Sequence, residues 1–96
     1  MKLHELKILH PYLIDITIGT KTFELRKNDR DYQVGDLIHF IDIREDDTEN
    51  DKCVCEPYID ENTLYRITYV LKNVEKYGLD KDYCILAIKK LEIKES

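Results

Sequence analysis

The stretch Gly19-Thr20-Lys21-Thr22-Phe23-Glu24-Leu25-Arg26 follows the pattern G-x-K-x-x-E-x-R, and the prediction of the fold starts from it. Side chains of a β-strand alternate between its two faces. A strand over residues 22–26 therefore places Phe23 and Leu25 on one face and the polar residues of the strand on the other. We expect the apolar pair to face the core and the polar row to face the open side.

Two elements precede this motif. Residues 3–9 predict a first strand. Residues 12–18 alternate between Ile or Tyr and other residues, which is the period of a strand. Pro11 and Gly19, however, are a favourable first residue and a favourable stop for a short helix. The local pattern leaves both structures open, with a small preference for the strand.

Further strands follow the motif. The polar residues 27–33 indicate a loop, and residues 73–82 indicate a helical turn or a loop around Gly78. Alternating or apolar patterns predict three more strands, at 37–44, 63–71 and 83–93. We therefore predict an α+β fold, a small β-barrel of about five to six strands with one or two short helices, since closure hides the sheet edges. The whole chain, 1–96, is expected to form a single domain.

The negative charge of the chain is concentrated in one segment. The formal net charge is −5, but residues 45–62 alone hold eight acids and one base. The remaining residues carry 12 acids and 14 bases, so a basic binding face elsewhere is compatible with the composition. We expect the acidic loop at 45–62 to be a flap or a disordered segment, because few of its residues can be buried.

Cysteine usage and hydropathy exclude several classes of protein. The chain has three cysteines, an odd number that does not form a disulfide framework. Cys53 and Cys55 lack the spacing of a zinc site, so we predict no metal, and no cofactor motif is present. Cys84 lies within an apolar strand and is expected in the core. No apolar run approaches the ~20 residues that span a membrane, and no signal sequence is found, so we expect a cytoplasmic protein.

The motif and its continuation resemble the ASCH family of small domains with a PUA-like β-barrel. The continuation comprises Lys27-Asn28-Asp29-Arg30-Asp31 and then Val34-Gly35-Asp36. It is similar to a bacterial and phage branch of that group without a settled function, the DUF3850-like branch. His4-Glu5-Leu6-Lys7 and the last strand are also similar, so the resemblance covers nearly the whole chain except the acidic loop. It implies a helix over 11–18, which we adopt in place of the strand.

The resemblance implies binding of RNA or a nucleotide in a polar cleft around Lys21, Glu24 and Arg26. Lysine and arginine donate to phosphate, and arginine can also stack on a base. Glu24 can hold Arg26 and accept a hydrogen bond from a base, while Lys27 and Arg30 extend the positive rim. Alternatively, Glu24 and Arg26 form only a surface ion pair.

Two tyrosines of the strand at 63–71 are further candidates for stacking on bases. Tyr65 and Tyr69 carry the rings, but Ile67 and Leu71 share their predicted face. The core is therefore the favoured place for both rings.

A second hypothesis is enzymatic. Some ASCH-like proteins hydrolyse N4-acetylated cytidine with a lysine, a threonine and an acid, and Lys21, Thr22 and Glu24 are the corresponding candidates here. Glu24 stands where that pattern has threonine, and Thr22 is placed differently relative to Lys21. This departure argues against the hydrolase.

A third hypothesis is a protein-interaction module. In it the acidic loop at 45–62 binds a basic protein partner, and deletion of residues 46–56 would abolish that binding.

Overall fold

Five strands, one α-helix and one 3₁₀ turn are found in residues 1–44 and 59–91, the part of the chain that the computed structural model describes. In chain order they are β1 (Leu3–Leu9), α1 (His10–Ile18), β2 (Phe23–Lys27), β3 (Leu37–Ile43), β4 (Tyr65–Leu71), the 3₁₀ turn (Glu75–Tyr77) and β5 (Tyr83–Lys90). No helix within these two ranges has the length and apolar character needed to cross a membrane.

The strands form one curled sheet in the order β1-β3-β4-β5-β2, a half-barrel covered by α1. β1 and β3 run parallel, with Leu3 opposite Leu37, and the other neighbouring strands are antiparallel. The crossover that a parallel pair requires is made by α1 and β2. β1 and β2 are therefore the two edges of the sheet. The expected α+β, barrel-like class with about five strands is confirmed.

The core lies on the inner side of the curled sheet. Alternate residues of each strand are buried there, for example Leu6, Ile38, Ile67 and Leu86, which are 0–1% exposed. α1 covers the core with Leu13 and Ile16, whose spacing of three places them on one helical face. The predicted core position of Cys84 is confirmed, since it is fully buried.

The segment 10–18 is a helix, so the local alternation favoured the wrong structure and the family resemblance the right one. Pro11 stands in the first turn, and Gly19 ends the helix in a left-handed conformation (φ 93°). That conformation is strained for residues with a side chain, which explains glycine as the first residue of the motif.

The predicted orientation of β2 is wrong. Phe23 and Leu25 point outward and are 47% and 52% exposed, whereas Glu24 points inward and is 7% exposed. Glu24 and Arg26 lie opposite Leu86 and Cys84, which are both fully buried. Alternation shows which side chains share a face but not which face is inside, and here the inner face is stabilised by ionic contacts.

β4 contains an irregularity that separates its two tyrosines. The register with β5 shifts between Ile67 and Tyr69. Tyr65 is buried and packs against Phe40, with ring centroids 5.5 Å apart, whereas Tyr69 is 60% exposed. A bulge reverses the inward and outward alternation of the residues that follow it. The prediction that both rings share one face is therefore wrong, and Tyr65 is not available for stacking on a ligand.

The other predicted elements lie where they were expected, apart from their ends. The strands at 37–44, 63–71 and 83–93 correspond to β3, β4 and β5, and the turn before Gly78 is 3₁₀. Residues 45–58 of the acidic loop, and 92–96, lie outside the described residues. The single domain over 1–96 and the flap or disorder of the acidic loop stay predictions.

Candidate functional site: the ionic motif and its surroundings

Three ionic side chains of the motif meet on the inner side of β2. The Nζ of Lys21 donates to Oε1 of Glu24 at 2.7 Å, and the Nε of Arg26 donates to Oε2 of Glu24 at 3.0 Å. The three side chains are 17%, 9% and 21% exposed in the order Lys21, Glu24, Arg26. One nearly buried carboxylate thus holds two cations. We call these three residues the ionic triad.

The end of α1 positions the triad. The backbone N–H groups of Thr20 and Lys21 both donate to the carbonyl of Asp15, at 3.0 and 3.1 Å. The N–H of Ile88 in β5 donates to the carbonyl of Thr22 at 3.0 Å. Lys21 is therefore fixed between a helix end and a strand, which explains the short spacing from Gly19 to Lys21 in the motif.

Arg26 and Arg30 connect the two edges of the sheet. Arg26 donates from Nη2 to the carbonyl of Lys7, and Arg30 donates from Nη1 to the carbonyl of Glu5 at 3.2 Å. Both carbonyls belong to β1. Edge strands carry backbone groups without strand partners, and here arginine side chains supply the donors. Each arginine thus has a partner within the protein, and a ligand-binding role for either stays a prediction.

Lys21 lies between two exposed aromatic rings. Its Nζ is 4.7 Å from the ring centroid of Phe23 and 5.7 Å from that of Tyr12, and it also donates to the carbonyl of Phe23 at 2.7 Å. An ammonium group has three donors. The described residues accept two of them, so one remains for a ligand. Tyr12 and Phe23 were not predicted as site residues. Phe23 was expected to face the core, and Tyr12 comes close to Lys21 only because of the turn after α1.

The remaining predicted site residues lie apart from the triad. Lys27 is exposed on the outer side of β2, and Arg30 donates to the carbonyl of Glu5 in β1 instead of to Glu24. Thr22 is exposed, and no hydrogen bond among the described residues joins its hydroxyl to Lys21 or Glu24. The arrangement therefore gives no support to Thr22 as a nucleophile, and the hydrolase stays an untested prediction.

A buried polar cluster that the sequence did not indicate lies near the motif. Asp36 accepts hydrogen bonds from the His4 ring (2.9 Å) and from the backbone N–H groups of Lys2 and Gln33 (3.1 Å each). Burial by itself raises the pKa of Asp36, but these hydrogen bonds outweigh it, and the pKa lies below the ordinary value of 3.8. The ring of Tyr32 packs on His4 at 4.7 Å, and burial raises the pKa of Tyr32.

A groove of about 780 Å³ lies elsewhere, between α1, β3 and the chain before β4. Leu13, His39 and Tyr65 are among its lining residues, and no residue of the triad is. This groove is therefore not the polar cleft that was predicted around the triad, and that cleft stays a prediction.

No cluster of three metal-binding side chains occurs in residues 1–44 and 59–91. Cys53 and Cys55 lie outside the described residues, so the structure does not test the prediction of no metal. Burial raises the pKa of the Cys84 thiol, which agrees with its place in the core and disfavours a nucleophilic thiolate.

Comparison with known proteins gives a family but no activity. No curated protein matches the chain. Residues 3–88 match a family described as a domain of unknown function, DUF3850. This match spans β1 to most of β5, including the entire motif. The chain therefore belongs to the DUF3850 family.

Proposed function

We propose that this protein is a PUA-like domain of the ASCH type that binds RNA or a nucleotide in the cytoplasm, with Lys21 as the residue that contacts phosphate. The observation that carries the proposal is the fixed position of the Lys21 ammonium between the rings of Tyr12 and Phe23. A cation beside two exposed rings offers both groups that a nucleotide requires, a donor for the phosphate and a surface for the base.

The ionic triad supports this role by fixing the lysine in advance. A free lysine loses up to ~2 kcal/mol of side-chain entropy when it is immobilised on a ligand. Here Glu24 and the carbonyl of Phe23 already hold Nζ. Part of that entropy is therefore lost on folding rather than on binding, and the third donor of Nζ points to a defined position.

Glu24 has a second consequence for binding. Its carboxylate repels a phosphate and partly neutralises Lys21 and Arg26. The site is therefore only weakly positive as it stands. We therefore expect only moderate affinity for a single phosphate, and the proposal has a test in which two substitutions act in opposite directions.

The first arm of the test removes the phosphate donor. Binding of a fluorescein-labelled, mixed-sequence RNA of ~10 nucleotides, a length within the range of small single-strand sites, is measured by fluorescence anisotropy. Lys21→Gln should weaken binding about tenfold, because one charge-assisted hydrogen bond is lost, and should reduce the salt slope by about 0.7. Lys76→Gln, which removes an exposed charge on the 3₁₀ turn instead of the sheet, is the matched control.

The second arm removes the competing carboxylate. Glu24→Gln removes the negative charge but keeps one amide oxygen that can still accept from Lys21. It should tighten binding by about threefold, the effect of removing one nearby negative charge at a partly exposed site. Both variants are first compared with the unmodified protein by thermal unfolding. A triad that serves only to stabilise the fold predicts that neither variant changes RNA affinity, and that outcome contradicts the proposal.

A further inference from the structure

The outer side of β4, β5 and β2 carries aromatic and basic side chains and no carboxylate among the outward-facing residues of these strands. The exposed rings are Phe23, Tyr69 and Tyr83, which are 47%, 60% and 39% exposed. Apolar side chains of β2 and β5 lie between them. We call this surface the outer face. Exposed apolar patches of this kind mark interaction sites in proteins.

The strand register places a notch between two of the rings. Phe23 of β2 and Tyr69 of β4 are both opposite Ala87 of β5, one on each side. Neighbouring strands are ~4.8 Å apart, so the two rings stand on backbones about 10 Å apart with only a methyl group between them. A flat, planar group can therefore enter between the rings and stack on either one.

Basic side chains surround this notch. Arg66 and Lys89 lie directly opposite each other at one end of the outer face, and both are exposed. Like charges opposite each other destabilise a sheet. No ion pair joins either one to an acid in the described chain. Lys27, opposite Tyr83, adds a third positive charge at the other end. An anion from outside the protein would reduce the repulsion between Arg66 and Lys89.

We infer that the outer face binds single-stranded nucleic acid, with bases stacked on Phe23, Tyr69 and Tyr83 and phosphates at the basic ends. The inference rests on the proposed function and extends it from one phosphate at Lys21 to a strand that crosses β5. Phe23 joins the two surfaces, since its ring also contacts the Lys21 ammonium. Duplexes do not expose the faces of their bases and are not expected to bind here.

Charge selects nucleic acid over a second copy of the chain as the occupant. Two outer faces placed against each other would bring Arg66 and Lys89 of both copies together without a described acid between them. A single strand instead supplies one negative charge per nucleotide and a planar ring for each exposed side chain. The outer face is therefore complementary to the strand in both charge and shape.

The test compares ring variants with a matched control. Tyr69→Ala and Tyr83→Ala should each weaken binding of the ~10-nucleotide RNA by about five- to a hundredfold, the range for loss of one stacked base. Tyr77→Ala removes a still more exposed ring (77%) that lies on the 3₁₀ turn instead of the sheet, and it should leave the affinity unchanged. All three rings are at the surface, so folding is expected to persist, which circular dichroism checks.

A second measurement separates this inference from the proposed function. A mixture of nucleoside monophosphates is titrated into the same variants, and the amide shift of Lys21 is followed by NMR. Tyr69→Ala and Tyr83→Ala should leave that titration unchanged. RNA binding that depends on Lys21 but on neither tyrosine overturns the inference and leaves the proposed function standing. RNA binding that depends on the tyrosines but not on Lys21 supports the outer face and overturns the proposed function at Lys21.

A protein occupant would give a different result. If sedimentation shows a dimer that Tyr69→Ala dissociates, and no variant affects RNA binding, the outer face is an interface between copies and the inference is wrong. If the unmodified protein does not bind RNA, both the inference and the proposed function are overturned. RNA affinity that increases with strand length and is lost in a duplex supports the inference.

Discussion

Asp36 is a single buried carboxylate that joins separate parts of the chain. Its carboxylate accepts three hydrogen bonds, from His4, Lys2 and Gln33, and is almost fully buried. These bonds connect the start of β1 with the turn that leads into β3. A carboxylate held in this way stabilises the folded state only while it is ionised.

The pH dependence of stability follows from the sign of this shift. The pKa of Asp36 is lower in the folded chain than the ordinary value of 3.8. Its contribution is therefore fully present above that ordinary value and is lost as the pH falls below 3.8 and through the folded-state pKa. Asp36→Asn should reduce the free energy of unfolding by about 2 to 3 kcal/mol near neutral pH.

Urea unfolding at about pH 7 and about pH 3 measures this effect. The difference between Asp36→Asn and the unmodified protein should shrink at the lower pH. Asp82→Asn, at an exposed carboxylate, is the control and should change little at either pH. An equal loss in Asp36→Asn at both pH values would show that the ionised form of Asp36 has no special role.

At the scale of elements, Arg26 of the motif holds β2 against β1. Arg26 uses one nitrogen for Glu24 and another for the carbonyl of Lys7, which only a forked side chain can do. Arg26→Lys retains the charge but not the fork. It should reduce the free energy of unfolding by about 1 to 2 kcal/mol and speed amide hydrogen exchange in β2.

Lys27→Ala is the control for that experiment, because Lys27 is on the same strand but points outward. Its effect should stay within about 0.5 kcal/mol. Unchanged stability and exchange in Arg26→Lys would mean that the contact with β1 contributes nothing to closing the half-barrel.

The sequence predicted the order of elements because each has a local signal. Pro11 and Gly19 frame α1, and alternating apolar residues mark β3 and β4. Two features depend on tertiary contacts and were missed. The inward orientation of Glu24 depends on Arg26, which also donates to a carbonyl of β1. The outward position of Tyr69 depends on one extra residue in β4. Neither signal is present in a local pattern.

The candidate site was predicted in part for the same reason. The motif identified Lys21, Glu24 and Arg26, and the structure brings these three together. The sequence could not show that the buried carboxylate of Glu24 partly neutralises the two cations beside it. It also could not show that the turn after α1 brings Lys21 close to Tyr12. Lys27 lies on the opposite face because a strand alternates, which the spacing from Arg26 already implied.

At the scale of the whole molecule, the inner and outer sides of β2 have different roles. The inner side closes the half-barrel through the ionic triad, and the outer side presents Phe23 and Leu25. Lys21 stands where the two sides meet, at the end of α1. The chain is acidic overall, but its acids are concentrated at 45–62, and none is among the outward-facing residues of β2, β4 and β5. A protein with net charge −5 can therefore still bind an anionic ligand on one side.

The most direct test of the phosphate site at Lys21 is a two-dimensional ¹⁵N NMR titration of the unmodified protein with a mixture of nucleoside monophosphates. The largest shifts should lie in residues 20–25 and at Tyr12 in the first turn of α1, and they should disappear in Lys21→Gln. Shifts confined to the groove around Tyr65, or none at concentrations of ~10 mM, well above the millimolar affinity of a weak ligand, would contradict it.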